Sequence, residues 1–389
     1  MIRERTLMKI MVLATSWFPP KIGGESNILY NMPNYIRGDE FVFFAQRLQG
    51  AEKFDDALQA KIYRPKWVFS KNKIVSRLFR LLEPYKIIRR EKPDVLLVGN
   101  GNDAYWAKNL NRLIRIPYVV LLHGTELLSY NPRNETNHKK RGPLSLARML
   151  IANSEYTKSL AMKSGIDASK ITVLHPGCDP EIFRPGLPVD DLKKRLGVEN
   201  RKIVLTVGSL VERKGHDKTI EAINLIRDEI PNVSYLIVGE GIYKKNLEDL
   251  VHSRSLQDHV KFIGPCSNAD LPKYYNLCDV FVMASREMDD NVEGYGMVFI
   301  EAGACGKPVI GGRSGGISDA VLDQKTGILV NPSDPNEIAN AIKSLIKDPS
   351  LSMKLSETAR KRVLEECNWT SYYSKLQDIL HNAVMELRG

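Results

Sequence analysis

Long apolar runs are missing from this chain of 389 residues. No stretch approaches the roughly 18 apolar residues that a membrane helix needs. The opening MIRERTLMKIMVLATSWFPP has too short an apolar core, and no small-residue cleavage site, to read as a secretion signal. Lys9–Thr15 within it reads instead as a first buried strand. Cysteine is scarce. Cys178, Cys266, Cys278, Cys305 and Cys367 are odd in number and widely scattered, which argues against both a disulfide framework and a zinc site. A reducing cytoplasm is the expected setting. There is no low-complexity tract, and 43% apolar with 26% charged residues is the balance of a fully folded protein. The chain also lacks the aromatic–basic interleaving of single-strand platforms and any recognisable reading helix, so nucleic acid is not an expected partner.

What is present is a strong asymmetry of charge. Residues 1–180 hold 29 Lys and Arg against 16 Asp and Glu, a balance of +13, whereas residues 181–389 hold 27 against 30, or −3. One half is therefore suited to an anionic surface or substrate. The length implies two domains. Short Val, Ile and Leu runs alternate with helix-period segments, the pattern of parallel sheets covered on both faces. Strands are expected near Lys9–Ala14, Phe41–Ala45, Asp94–Val98 and Tyr118–Leu122. They recur near Ile203–Gly208, Ser234–Gly239, Val260–Ile263, Asp279–Met283, Pro308–Ile310 and Gly327–Val330. Helical spacing fills Lys218–Arg227, Asp334–Lys347 and Ser352–Leu364. The segment HPGCDPEIFRPGLP, residues 175–188, carries four prolines and two glycines and reads as a linker. The expected fold is α/β, two doubly wound Rossmann-like domains facing across a cleft, 1–178 and 179–367. Ligands in such sheets sit outside the carboxyl ends of the strands.

Four loops in that position carry chemistry. In FPPKIGGES, Gly23 and Gly24 precede a helix start and let a backbone approach a bulky anion closely. In VGSLVERKGHD, Arg213 and Lys214 stand where a strand opens into a helix, suited to clamping a diphosphate. The stretch from Ser285 to Ile310 holds Glu293 and Glu301, with Gly294 and Gly296 opening the loop before the helix MVFIEA. The first amides of that helix can hold phosphate or sugar oxygens, and the two carboxylates can accept from sugar or ribose hydroxyls. In LLHGTE, His123 closes an apolar strand and stands at a carboxyl end.

Together these segments resemble the family 4 retaining glycosyltransferases of GT-B fold. FPPKIGGES, KPDVLLVGNG, LHGTE, ANSEYTK, VLHPGCDPEIFRP, VGSLVERKGHD, SYLIVGEG, KFIGP, CDVFVMASRE, the two spaced glutamates and SGGISDAV follow the family's order along nearly the whole chain. From DNVEGYGMVFIEAGACGKPVIGG onward the likeness is to bacterial phosphatidylinositol mannosyltransferases. The resemblance implies a nucleotide sugar held mainly by the second domain, with Arg213 and Lys214 on the diphosphate, Glu301 on the ribose and Glu293 on the transferred sugar. By the same resemblance the amides of Gly296, Met297 and Val298 meet sugar and phosphate, Gly24 approaches the phosphates, Ile263 frames the base, and His123 contacts the sugar near the reacting carbon. Many members carry arginine after the glycine of VGSL, where this chain has Ser209. The clamp then rests on Arg213 and Lys214. The family's last helix returns to the first domain, and Asn368–Leu387 has the length and spacing for it.

No Asp-x-Asp-type pair stands in the right loop, and Asp289-Asp290 reads as loop polarity, so no metal and no cofactor are expected. Fixed cations and helix amides must stabilise the leaving group. The resemblance favours front-face attack with retention, a hexose with mannose preferred, GDP-mannose as donor, and a lipid-linked or glycan acceptor. Residues 61–92 carry 11 Lys and Arg against 2 Asp and Glu, and Ile74, Leu78, Leu81, Tyr85 and Ile88 fall at helical spacing. The stripe is expected to pack on the sheet, while the charges suit peripheral contact with an anionic membrane. Alternative readings are another GT-B activity such as a nucleotide-sugar epimerase, or transfer to a small soluble acceptor.

Overall fold

The computed structural model describes residues 7–21, 23–66, 73–128, 142–288 and 291–385, with side chains from residue 79 onward in the third of these spans. The chain divides into two compact units, Met1–Leu174 with Thr370–Gly389, and His175–Trp369. The sequence predicts these joints at 178 and 367, with residues 175–188 as a linker. That segment belongs to the second unit, where the amide of Cys178 donates to the Cys367 carbonyl at 3.1 Å and Trp369 donates back to Cys178. The two strands of chain entering and leaving the unit are thereby tied together.

The first unit is built on β1 (Lys9–Ala14), β2 (Glu40–Ala45), β3 (Lys61–Tyr63), β4 (Val95–Val98), β5 (Tyr118–Leu122), β6 (Met149–Ala152) and β7 (Ile171–Val173). Its strand order is β3-β2-β1-β4-β5-β6-β7, and all neighbouring strands pair in parallel. Met11, Leu13, Val42, Phe44, Leu96, Val98, Val120 and Leu122 share one core, while the alternate Ile10, Val12, Phe43, Leu97, Val119 and Leu121 are also buried. Both faces are covered, which is why these strands are apolar throughout. The helix Lys73–Glu91 lies before β4, with Leu81, Tyr85, Ile87 and Ile88 against the same core. Ile74 and Leu78 of the expected stripe lie outside the described side chains.

The helix Trp369–Met385 completes this unit. Its Tyr373 hydroxyl donates to the Ile28 carbonyl at 2.7 Å, and the ring stacks on Tyr35. Gln377 donates to Asp39 at 2.8 Å, and His381 meets the same carboxylate at 3.0 Å.

The second unit holds β8 (Lys202–Val207), β9 (Val233–Val238), β10 (Val260–Gly264), β11 (Val280–Met283), β12 (Val309–Gly312) and β13 (Ile328–Val330), in the order β10-β9-β8-β11-β12-β13. Ile203, Leu205 and Val207 face one core and Val204 the other. Helices Pro335–Lys347 and Pro349–Glu365 start at Asp334 and Asp348, whose carboxylates accept from amides of the first turn. The order of both sheets reverses beside the first strand of the unit, at β1/β4 and at β8/β11. Crevices form at such reversals.

The expected strands match within two residues at either end. β3, β6 and β7 are not announced by the sequence. β3 and β7 are three-residue edge strands, only partly buried, and neither offers a run long enough to register as a pattern.

Candidate active site

In the second unit, the loop leaving β8 tightens into a single 3-10 turn, Glu212–Lys214, and the helix His216–Ile226 follows. Gly215 joins them at φ +72°, and a Cβ there would lie 2.0 Å from the Ala284 carbonyl oxygen. Only glycine lets the turn come down onto the end of β11. The amide of Arg286 then donates to the Arg213 carbonyl at 2.9 Å, fixing the two loops together. Arg286 itself forks onto Asp217 at 3.0 and 3.1 Å and reaches Glu212.

This packing brings three residues singled out from the sequence to one point. Lys214 Nζ lies 2.5 Å from Glu293 Oε2 and donates to it, and Arg213 donates to the same oxygen at 3.1 Å. The side chains are 12%, 13% and 16% exposed for Lys214, Arg213 and Glu293. Burial alone would push the Glu293 carboxyl up, but Lys214 and Arg213 outweigh it and hold it down at about 2. The carboxylate is charged at every physiological pH. Arg213 Nε is buried and has no hydrogen-bond partner among the described residues, so one donor of the guanidinium is unmatched among them. The backbone of Glu293 is held from the other side, since the amide of Gly316 donates to its carbonyl at 2.8 Å. A Cβ on Gly315, at φ +56°, would sit 2.4 Å from that carbonyl oxygen. The motif SGGIS is thus a support for Glu293.

Three residues after Glu293, Gly296 opens the helix Met297–Ala304 at φ +96°, where a Cβ would meet the Phe299 ring at 2.8 Å. Met297 and Val298 are its first helical residues, and amides there have no partner within the helix. Glu301, one turn further, is 6% exposed. Tyr275 donates its hydroxyl to Glu301 Oε2 at 2.7 Å, and burial lifts this carboxyl up to about 7 against that bond. The two glutamates are therefore opposite in electrostatic character. Ile263, in β10, packs partly buried against the same core. Asp289 and Asp290 lie outside the described residues.

Deeper under the β8 loop, His216 approaches the Ser209 carbonyl with Nε2 at 3.2 Å and the Tyr235 hydroxyl with Nδ1 at 3.4 Å. Burial drops its imidazole to about 4, so it is neutral. Ser209 thus contributes a carbonyl anchor at the position where an arginine was expected from the family pattern. Tyr235, Tyr275 and Arg286 are not singled out by the sequence. A buried hydroxyl in a strand or helix looks like core until its partner is seen.

In the first unit, His123 follows β5. Its Nε2–H donates to the Gly99 carbonyl at 2.9 Å, and Glu25 Oε2 lies 4.0 Å from the same nitrogen. The His123 amide donates to Glu126 Oε1 at 2.7 Å. Burial disfavours the imidazolium, but Glu25 and Glu126 outweigh it, so the ring holds its proton more tightly than usual. Asn100 donates to Glu25 Oε2 at 3.0 Å, and Asp103 accepts from Thr15 and Ser16 at the end of β1. Burial raises the Asp103 and Glu126 carboxyls. Gly23 caps the helix Gly24–Tyr30 at φ +155°, against the Trp17 ring. Glu25 was legible as the residue after the glycine pair and Asn100 as the end of DVLLVGN, but nothing local ties either to His123.

Among the described residues no three His, Cys, Asp or Glu side chains come together as metal ligands. No helix among them is long and apolar enough to cross a membrane.

Two parallel sheets of this order, each reversing beside its first strand, make the α/β fold of the GT-B class. The structure of Anabaena Alr3699/HepE in complex with UDP-glucose superposes with a TM-score of 0.82 at 22% identity, covering 96% of this chain and 100% of that one. That likeness is one of fold. Family models for "Glycosyl transferases group 1" and "Glycosyltransferase Family 4" match residues 189–362 and 29–182. A GDP-mannose-dependent alpha-(1-6)-phosphatidylinositol monomannoside mannosyltransferase of Mycobacterium tuberculosis is 30% identical over 96% of this chain and 98% of its own length. The protein of that description from Mycolicibacterium smegmatis is 29% identical over 95% and 98%. The chain belongs to the family 4 glycosyltransferases, and it is a nucleotide-sugar-dependent hexosyltransferase.

Proposed function

We propose that the protein transfers mannose from GDP-mannose to a lipid-linked or glycan acceptor, with retained anomeric configuration and without a metal. The observation that carries this reading is the meeting of Arg213, Lys214 and Glu293 beside the start of helix Met297–Ala304. Two partly buried cations and the first helix amides are what a departing diphosphate requires, because preorganised donors stabilise developing charge without reorganising. Met297 and Val298 supply amides, Gly296 lets the backbone come close, Glu301 accepts from the ribose, and Ile263 lies along the base. Glu293 holds the sugar hydroxyls once the diphosphate draws Arg213 and Lys214 away. Gly23, Gly24 and His123 of the first unit are assigned to phosphate and sugar. In the front-face path the leaving phosphate oxygen takes the proton of the acceptor hydroxyl, and retention follows.

The preference for mannose and for a phosphatidylinositol-type acceptor is supported by the relatives of that description. Peripheral membrane contact is supported by the exposed Lys86, Arg89 and Arg90 near the end of helix Lys73–Glu91, whose apolar side is taken up by the core. The test is a panel of GDP-mannose, UDP-glucose and UDP-N-acetylglucosamine with detergent-dispersed phosphatidylinositol mannoside, in excess chelator, with the product anomer read by NMR. An α-linked mannosyl product is expected. A β-linked product, a requirement for added metal, or turnover confined to a UDP donor overturns the corresponding part of the reading.

A further inference from the structure

Glu301 stands on a fixed support. Tyr275, from the helix Leu271–Leu277, is fully buried, and its ring packs edge-on against Phe183 at 5.9 Å and tilted against Phe281 at 5.6 Å. Its hydroxyl donates to Glu301 Oε2 at 2.7 Å. Solvent reaches Glu301 slightly and Tyr275 not at all. The other titratable groups near the carboxylate are thiols: Cys305 at the end of its own helix, Cys178 of the segment entering the unit, and Cys266 beyond β10. Burial raises all three, so they stay neutral. No cation bears on Glu301 among the described residues, and the Tyr275 hydroxyl is the group that favours its charged form.

We propose that Tyr275 is the positioning residue of the donor site, its buried hydroxyl pinning one oxygen of Glu301 so that the other serves as acceptor for the vicinal ribose hydroxyls of a nucleoside diphosphate. The proposal rests on the assignment of Glu301 to the ribose. A diol donates two hydrogen bonds and is better held by a carboxylate whose rotamer is already fixed, because the ordering cost is met before the ligand arrives. Tyr275 never touches the ligand. It acts through the aim and the charge of Glu301.

The experiment is calorimetric binding of GDP and of 2′,3′-dideoxy-GDP to the wild type, Tyr275→Phe, Glu301→Gln and the double variant, between pH 6 and 8.5. Phenylalanine keeps the ring against Phe183 and Phe281, and the ratio of the two affinities is insensitive to any unfolded fraction. The wild type should prefer GDP about tenfold or more, and Tyr275→Phe should lose about three- to tenfold of that preference. In the Glu301→Gln background the second substitution should change the ratio little. The preference should fade in the wild type as pH drops through about 7, where Glu301 takes up a proton. In Tyr275→Phe that limb should move to higher pH, since a bond to the charged form has gone. Equal affinity of the wild type for both nucleotides overturns the role of Glu301 and the proposal with it. A wild-type preference that Tyr275→Phe keeps in full, with an unmoved pH limb, overturns the role of Tyr275 alone.

Discussion

Lys214 meets Glu293 at 2.5 Å although 79 residues of chain separate them. The contact places a cation of the β8 loop on the carboxylate of the β11 loop, with Arg213 on the same oxygen. On the proposed reading, an entering diphosphate competes with Glu293 for these cations and frees the carboxylate to accept from sugar hydroxyls.

Arg213→Ala and Lys214→Ala should each lower kcat about 10²- to 10³-fold, the cost of one preorganised donor to a developing anion. Single-turnover transfer with saturating donor measures it. Turnover within a few-fold of the wild type in either variant would remove that residue from the leaving-group site.

Glu293→Gln should lose activity and stability together. Two cations with little exposure would lack their counter-charge, at a cost of about 2–3 kcal/mol. The folded-state acidity of Glu293, about 2, lies below its ordinary value of 4.5. Its contribution is therefore fully present above pH 4.5 and is lost as pH falls through 2. Urea unfolding of both proteins at pH 7 and pH 3 tests the sign, and the gap should narrow at the lower pH.

For Glu301 the sign reverses. Its folded value of about 7 lies above the ordinary 4.5, so the wild type loses stability as pH rises from 4.5 to 7. Glu301→Gln should remove that decline. Melting curves at pH 5 and pH 8 should show the variant gaining on the wild type at pH 8, and an equal difference at both would contradict the buried carboxyl.

Gly215→Ala forces a Cβ to within 2.0 Å of the Ala284 carbonyl oxygen at a positive φ. We expect a loss of about 2 kcal/mol or more. The Arg213–Arg286 backbone bond should be disturbed, so that donor affinity falls beyond what the melting shift explains. Calorimetry with GDP separates the two effects.

Vesicle co-sedimentation should show binding to anionic but not to zwitterionic liposomes, fading as salt is raised. Arg89→Gln should weaken it. Arg80, Lys86 and Arg90 are less suited as probes, since Arg80 stacks over Trp106, Lys86 pairs with Glu83 and Arg90 with Glu91. Indifference to anionic vesicles at low salt would point to a soluble acceptor.

How much of this was legible beforehand depended on whether the cause was local. KIMVLA and KIVLTV announce strands because each is buried on both faces and hence apolar at nearly every position. KIY and ITV do not, being short edge strands. The site residues could be named one by one from strand ends and glycines. Their partners could not. Nothing in the sequence near Glu301 points to Tyr275, 26 positions earlier, and nothing near His123 points to Glu25. Such pairs are products of strand order, which composition does not encode.

The helix Trp369–Met385 has a consequence for how the protein is made. Residues 175–369 form a contiguous stretch and can collapse as soon as they leave the ribosome, whereas the earlier residues 7–174 must wait for the last helix to cover Ile28, Tyr35 and Asp39. The first unit to be synthesised is thus the last to be finished. During that interval Asp39 and the surface around Tyr35 lack their partners Gln377, His381 and Tyr373. A released chain that ends at residue 369 should therefore carry a protease-resistant second unit beside a first unit that is still open to cleavage.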